Sequence, residues 1–299
     1  KEKFLTGCAK RGIDGPTAEK IFDKIEKFAS YGFNKSHAAA YAYLSYATAY
    51  FKANYPSEWM AALMTCDRDD TTKLAKFIRE ARSMQIAMLP PDINQAGSEF
   101  AAVKGGIRFA MSGIKGVGQA VVDEIIAERN LKGPFASLYD FMQRADKAKI
   151  GKKAIELLIE AGGFDFTGWT RDAMRESIDA MYAEASRDQK EASLGVLNLF
   201  SLIDSAEKPF QAPPPVLQPS TKLQLLQREK ELLGFYLTGH PMDNYKEVLR
   251  RLSCVPFREF ETLPEGTIVR AAFVIETLQV KISNKSQRKF AILTISDGL

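Results

Sequence analysis

From Pro16 to Phe28 the apolar residues Ile21, Ile25 and Phe28 recur at helical spacing, and Pro16 suits a first-turn position. Alanines and aromatics then fill the chain from Ala38 to about Tyr55. Alanine is the strongest helix former and Pro56 is a stop, so a long helix is predicted there, with Asn34 or Ser36 as its cap. An apolar helix over 58–65 follows, then a polar break at Asp69-Asp70-Thr71-Thr72. A helix over 73–84 carries Leu74, Phe77, Ile78 and Ala81 on one face, and the double proline of Met88-Leu-Pro-Pro-Asp92 marks a subdomain edge. Phe100–Val103 and Ile107–Met111 flank Lys104-Gly105-Gly106 and predict a β-hairpin. Further helices are predicted over 119–129, 138–144, 152–161 (closed by Gly162-Gly163), 171–188 and 223–238 (ended by Gly239-His-Pro241). Residues 205–221 hold five of the 13 prolines and read as a linker. From Gly266 the period changes to two, predicting strands over 267–275, 278–282 and 289–295, the opening of a small barrel. The fold class is mostly α, followed by an incomplete β segment.

Composition changes this picture little. With 45% hydrophobic and 26% charged residues over 299 positions, the chain is not disordered throughout and has room for two or three domains. Its net charge is only +4, so any nucleic-acid surface must be a local patch. Cys8, Cys66 and Cys254 are far apart and form no CxxC, which points to free thiols in a reducing cytoplasm. With two histidines, a histidine-based metal centre is not expected. No apolar run is long enough to span a membrane. The start lacks Met and a signal sequence, and Ile295-Ser-Asp-Gly-Leu299 stops within a strand pattern, so the sequence reads as a piece of a longer protein.

Three stretches carry candidate chemistry. In Tyr31-Gly-Phe-Asn-Lys-Ser-His-Ala-Ala-Ala-Tyr41, Lys35, Ser36 and His37 fall at the positive end of the helix dipole, with Tyr41 one turn past His37 on the same face. A cation, a hydroxyl, an imidazole and a ring there suit a phosphate with a base attached. An ordinary packed helix is the plainer alternative. Ile114-Lys-Gly-Val-Gly118 before a helix is the pattern of a helix-hairpin-helix turn, whose N–H groups hold a backbone phosphate without reading bases; Lys115 adds a charge to Gly116 and Gly118. Between Lys104 and Lys153 there are ten Lys and Arg against five Asp and Glu, a local +5. Within it, Lys147-Ala-Lys149-Ile-Gly-Lys152-Lys153 precedes a helix in the same way and reads as a second, degenerate hairpin, or else as a solvated helix face. Third, Gly195-Val-Leu-Asn-Leu-Phe200 is a short apolar peptide able to dock in a partner's pocket or to pack on its own domain. Carboxylate pairs such as Asp69-Asp70 and Asp123-Glu124 have cap or surface explanations, so no catalytic or metal-binding residue is assigned.

The motif around Lys35, together with Tyr55-Pro-Ser-Glu-Trp-Met-Ala-Ala-Leu63, resembles the fingers of the bacterial C-family replicative DNA polymerases, the DNA polymerase III alpha-subunit family. Leu89-Pro-Pro-Asp-Ile-Asn94, Gly113-Ile-Lys-Gly-Val-Gly118, Ile159-Glu-Ala-Gly-Gly-Phe-Asp165 and Lys230-Glu-Leu-Leu-Gly-Phe-Tyr-Leu-Thr-Gly-His-Pro241 extend the resemblance, in order, over essentially the whole chain. It implies fingers over 1–98 and a tandem helix-hairpin-helix, clamp-binding domain over 99–204. A proline-rich linker (205–221), a helical connector (222–263) and the start of an OB domain (264–299) would follow. It further implies that Lys35, Ser36 and His37 meet the triphosphate of an incoming deoxynucleotide and Tyr41 its base. Lys115, Gly116, Gly118, Lys152 and Lys153 would hold template–primer DNA, and Leu197, Leu199 and Phe200 would bind the sliding clamp. The family's clamp peptide is typically Gln-Leu-x-Leu-Phe, and Val196 stands here in place of the Gln. The family's catalytic aspartates and their Mg²⁺ belong to a palm upstream, so these residues alone would bind rather than polymerise, beside other subunits of the replicase. The alternatives are a non-catalytic DNA- and clamp-tethering module and a translesion relative of the same family.

Overall fold

The computed structural model describes residues 1–30, 35–193, 210–284 and 287–298. It divides into two compact units, Lys1–Pro56 and Ser57–Leu299. The described part is mostly helical with two small sheets, in keeping with the pattern of the sequence.

In the first unit, α1 (Glu2–Ala9) and α2 (Gly15–Ser30) meet through Phe4 and Phe22, with ring centroids 5.6 Å apart, and bury Cys8 and Ala18. α3 spans Lys35–Asn54 and stops just before Pro56. It starts three residues earlier than its apolar run, so Ser36 lies in the first turn rather than capping it, and Asn34 lies outside the described residues. Its tyrosines and alanines are spread around the whole circumference, giving no single stripe to bury. Accordingly α3 buries none of its residues, and Tyr41, Tyr43, Leu44, Tyr46, Tyr50 and Phe51 are all exposed. Within this unit it is not an ordinary packed helix.

The second unit opens with α4 (Pro56–Cys66, all but its first residue) and α5 (Thr71–Ser83). The Asp70 carboxylate caps α5 by accepting from the backbone N–H groups of Thr72 and Lys73, both at 3.0 Å. The α5 stripe Leu74, Ile78 and Ala81 is buried. β1 (Met88–Leu89), β2 (Ala101–Val103) and β3 (Gly106–Arg108) form a sheet in the order β1-β3-β2. The β2–β3 hairpin forms where expected, but its second strand ends at Arg108 instead of Met111, which is buried and starts a 3-10 turn. β1, parallel to β3, was not foreseen, because two residues before a double proline show no period. Gly106 is required there, since a Cβ would fall 2.1 Å from the Ala87 carbonyl oxygen on the β1 side. Then come a 3-10 turn (Met111–Gly113), α6 (Gln119–Lys132), α7 (Leu138–Arg144), α8 (Lys152–Ala161) and α9 (Arg171–Ser193).

One apolar core runs from Met60 to Leu237 and includes Ile93, Phe109, Phe141 and Phe164. Pro91 and Asp92 are buried inside it, so the double proline is not an edge of packing. The described end of the proline-rich stretch is also fastened down. The Phe210 ring lies 5.0 Å from that of Tyr139, and the Ser220 backbone N–H and hydroxyl both donate to Asp172 at 2.7 Å.

Two elements depart from the pattern. α10 spans Lys222–Leu233 and ends five residues before Thr238, because Gly234 takes a left-handed conformation (φ 90°) that turns the chain back. The released Phe235 and Leu237 are buried, and the Phe235 ring lies 5.7 Å from that of Phe109, tilted at 51°. After α11 (Lys246–Arg251), residues 267–273 do not form a strand; β4 is one strand, Val274–Ile282, across the break the pattern implied. That break is a β-bulge between Ile275 and Thr277, where Glu276 leaves the ladder and ion-pairs with Lys230 of α10. β4 pairs antiparallel with β5 (Lys289–Ser296).

Candidate nucleic-acid interface

Ile114 and Val117 are anchored in the core, at 1% and 6% exposure, so the Lys115-Gly116 pair between them is pushed out of the surface. A hydrogen bond from Val117 N–H to the Ile114 carbonyl (3.1 Å) closes the turn. Gly116 sits at φ +85°, where a Cβ would also lie 2.8 Å from Leu157 Cδ1 of α8. The preceding element is a single 3-10 turn rather than a full helix.

The backbone donors of this turn are divided. The Lys115 N–H points inward and donates to the Leu232 carbonyl in the last turn of α10, at 3.0 Å. The N–H groups of Gly116, Gly118, Gln119 and Ala120 have no hydrogen-bond partner among the described residues. Gly118 is the N-cap of α6, so these donors coincide with the positive end of a 14-residue helix. Lys115, Gly116 and Gly118 are all exposed.

The start of α8 repeats this geometry. Gly151 caps it at φ −73°, ψ 159°, against φ −76°, ψ 157° for Gly118. The Gly118 carbonyl accepts from Val121 and Val122, as the Gly151 carbonyl does from Ala154 and Ile155. Ile150, 1% exposed, takes the anchoring place of Val117. The second turn has no left-handed glycine. Asp146 closes it instead, its carboxylate accepting from Ala148 N–H at 2.9 Å and its carbonyl from Lys149 and Ile150.

The local +5 overstates the charge that faces outward. All three arginines of the segment are turned into the fold. Arg108 donates to the Pro90 carbonyl and Gln95, and Arg129 to the carbonyls of Ile93 and Ala96. Arg144 donates to Glu128 and the Gly133 carbonyl while lying 4.2 Å over the Phe135 ring. A planar guanidinium suits this bridging of several oxygens, and an ammonium does so less well. Lys147 Nζ is buried over the Tyr182 ring at 5.2 Å, and burial pushes its pKa down. Lys149 pairs with Glu124 (2.7 Å), Lys153 with Glu156 (3.3 Å), and Lys152 with Asp179, whose hydrogen bond pushes the Lys152 pKa up. These are solvent-exposed pairs, each weak enough for a competing phosphate to replace. Among the described residues Lys115 has no ion-pair partner.

In the first unit, Lys35, Ser36 and His37 occupy the exposed first turn of α3, and the His37 and Tyr41 rings lie 4.5 Å apart, tilted at 56°. Leu197, Leu199 and Phe200 lie outside the described residues. Among the described residues no three His, Cys, Asp or Glu converge to hold a metal ion. None of the helices there is long and apolar enough to cross a membrane. The residue that sequence reasoning missed is Leu232, whose carbonyl orients the turn. A backbone acceptor 117 positions away leaves no mark in a motif.

The turn and its following helix are those of a helix-hairpin-helix element, and a family model described as "Helix-hairpin-helix motif" matches residues 85–174. The chain is also similar along nearly its whole length to proteins named DNA polymerase III subunit alpha. Identity is 53% over 300 residues with that of Chlamydia trachomatis (99% of this chain, 24% of the relative). It is 40% over 302 residues with that of Vibrio cholerae (98% and 25%), and 37% over 296 residues with that of Escherichia coli K12 (98% and 25%). The chain belongs to the DNA polymerase III alpha-subunit family and spans about a quarter of the length of these relatives.

The crowding at Gly116 gives a direct test of the turn. Gly116→Ala must place a Cβ at positive φ and against Leu157, so it should lower unfolding stability by about 1–3 kcal/mol in chemical denaturation. Stability equal to the parent's would show that the turn is not held as described.

Proposed function

We propose that the chain serves a DNA polymerase that extends a primer with deoxynucleoside triphosphates, by gripping the backbone of the template–primer duplex. The observation that carries this reading is the set of four N–H groups at Gly116, Gly118, Gln119 and Ala120 that have no hydrogen-bond partner among the described residues, beside Lys115, which has no ion-pair partner there. Backbone donors at a helix start bind a phosphate oxygen whatever the base, which suits an enzyme that must copy any sequence. Lys152 and Lys153 at the start of α8 form a second such grip, in competition with Asp179 and Glu156.

The finer assignments follow the family. Residues 1–98 are the end of the fingers, 99–204 the tandem helix-hairpin-helix and clamp-binding domain, 205–221 a linker, 222–263 a connector and 264–299 part of an OB domain. Lys35, Ser36 and His37 hold the triphosphate of the incoming nucleotide, and Tyr41 stacks beside its base. The exposed aromatic surface of α3 supports a face turned to substrate or to other parts of the enzyme. Leu197, Leu199 and Phe200 dock the sliding clamp in a cytoplasmic replicase. The whole enzyme uses Mg²⁺ for phosphoryl transfer, on carboxylates other than those described.

Duplex DNA binding by the chain should weaken steeply with salt, because phosphate contacts release counterions. Lys115→Ala should shallow the log–log salt slope by about one, while Asp179→Asn, which removes the nearer of the two carboxylates paired with Lys152, should tighten binding. Salt-independent binding, or an unchanged slope for Lys115→Ala, would overturn the assignment. Replacing Leu199 and Phe200 together by Ala should abolish binding to the sliding clamp in a pull-down or titration, and undiminished affinity would remove the docking peptide from the account.

A further inference from the structure

The turn that presents Lys115 and Gly116 is not held by its own motif alone. Its inward N–H, that of Lys115, ends on the Leu232 carbonyl, so the orientation of the turn depends on where α10 stops. Three contacts set that end point. Gly234 closes α10 at φ +90°, its N–H donating to the Lys230 carbonyl (2.8 Å), and a Cβ there would lie 2.9 Å from Thr71 Cγ2 of α5. The chain that turns back is caught from one side by Glu229, whose carboxylate accepts from the N–H groups of Leu237 (2.7 Å) and Thr238 (2.8 Å). From the other side Arg82 of α5 donates to the carbonyls of Tyr236 and Leu237, both at 2.9 Å. All of these residues lie outside 85–174, the span matched by the helix-hairpin-helix motif.

We propose that Arg82, Glu229 and Gly234 are positioning residues for the phosphate-binding turn at Lys115-Gly116, acting through the Leu232 carbonyl, so that the DNA-binding unit includes α5 and α10. The inference rests on the reading of that turn as a phosphate grip. None of the three touches the phosphate in this account. Loosening the segment after α10 lets the last turn of α10 shift, the Lys115 N–H loses its fixed acceptor, and the turn that carries the four partnerless donors loses its fixed orientation.

The test uses the full chain and a short DNA duplex at fixed salt. Arg82→Gln is compared with Arg79→Gln, which removes the same charge one turn earlier on the exposed side of α5. Arg82→Gln should weaken binding about fivefold, within the range of coupled sites, and Arg79→Gln less than about twofold. In a Gly116→Ala background Arg82→Gln should add little, because the turn is already disturbed; a merely structural role would add in full. Gly234→Ala provides a second, independent loosening and should behave as Arg82→Gln does. Equal effects of Arg82→Gln and Arg79→Gln, or full additivity with Gly116→Ala, would overturn this proposal while leaving the phosphate grip intact. Unchanged binding by Gly116→Ala itself would overturn the grip and the proposal together.

Discussion

Glu229 is 1% exposed, and a carboxylate so deeply buried is tolerable only if donors surround it. The chain meets half of that constraint by folding residues 235–238 back over the end of α10, so that Leu237 and Thr238 donate to Oε2, while Oε1 has no hydrogen-bond partner among the described residues and only the Arg171 charge near it, at 3.9 Å. Much else follows from this. Phe235 reaches Phe109 in the core, and the Leu232 carbonyl faces Lys115. Lys230, next along the helix, holds Glu276 of β4 and so ties the second sheet to the same turn of α10. The end of α10 and the segment folded back on it thus join α5 through Arg82, the hairpin turn through the Leu232 carbonyl, α9 through Arg171 and the β4–β5 pair through Lys230.

The functional surface grows out of this arrangement by a division of labour among donors and cations. The hairpin spends one N–H on α10 and leaves four without a partner among the described residues. The arginines of the basic segment are consumed in bridging carbonyls and carboxylates of the fold, while most of its lysines remain at the surface. Surface lysine pairs exchange partners easily, and backbone N–H groups do not discriminate among bases. Both properties belong to a grip that holds any duplex and releases it as the duplex advances, as the proposed polymerase requires.

Local chemistry was legible in the sequence wherever it was short in range. The Asp70 cap, the β2–β3 hairpin, α7 and α8 to the residue, and the Gly118 cap all follow from propensity and turn chemistry. What escaped was set by tertiary contact. The expected end of α10 was Gly239, whereas Gly234 ends it, and the chain that turns back there brings the Leu237 and Thr238 N–H groups to Glu229. The bulge at Glu276 mimicked a turn because its partner, Lys230, is remote in the chain. Charge counting could not tell an arginine aimed at Ile93 and Ala96 from a lysine aimed at solvent. The aromatic run of α3 showed a helix but no stripe, and its exposure is the form that absence takes.

Amide hydrogen exchange, read residue by residue with and without a DNA duplex, tests the central claim most directly. In the free chain the Lys115 amide should be protected by Leu232, while the amides of Gly116, Gly118, Gln119 and Ala120 exchange fast. Adding DNA should slow those four and leave Lys115 as it was. A Lys115 amide that exchanges freely, or four neighbours indifferent to DNA, would contradict the account.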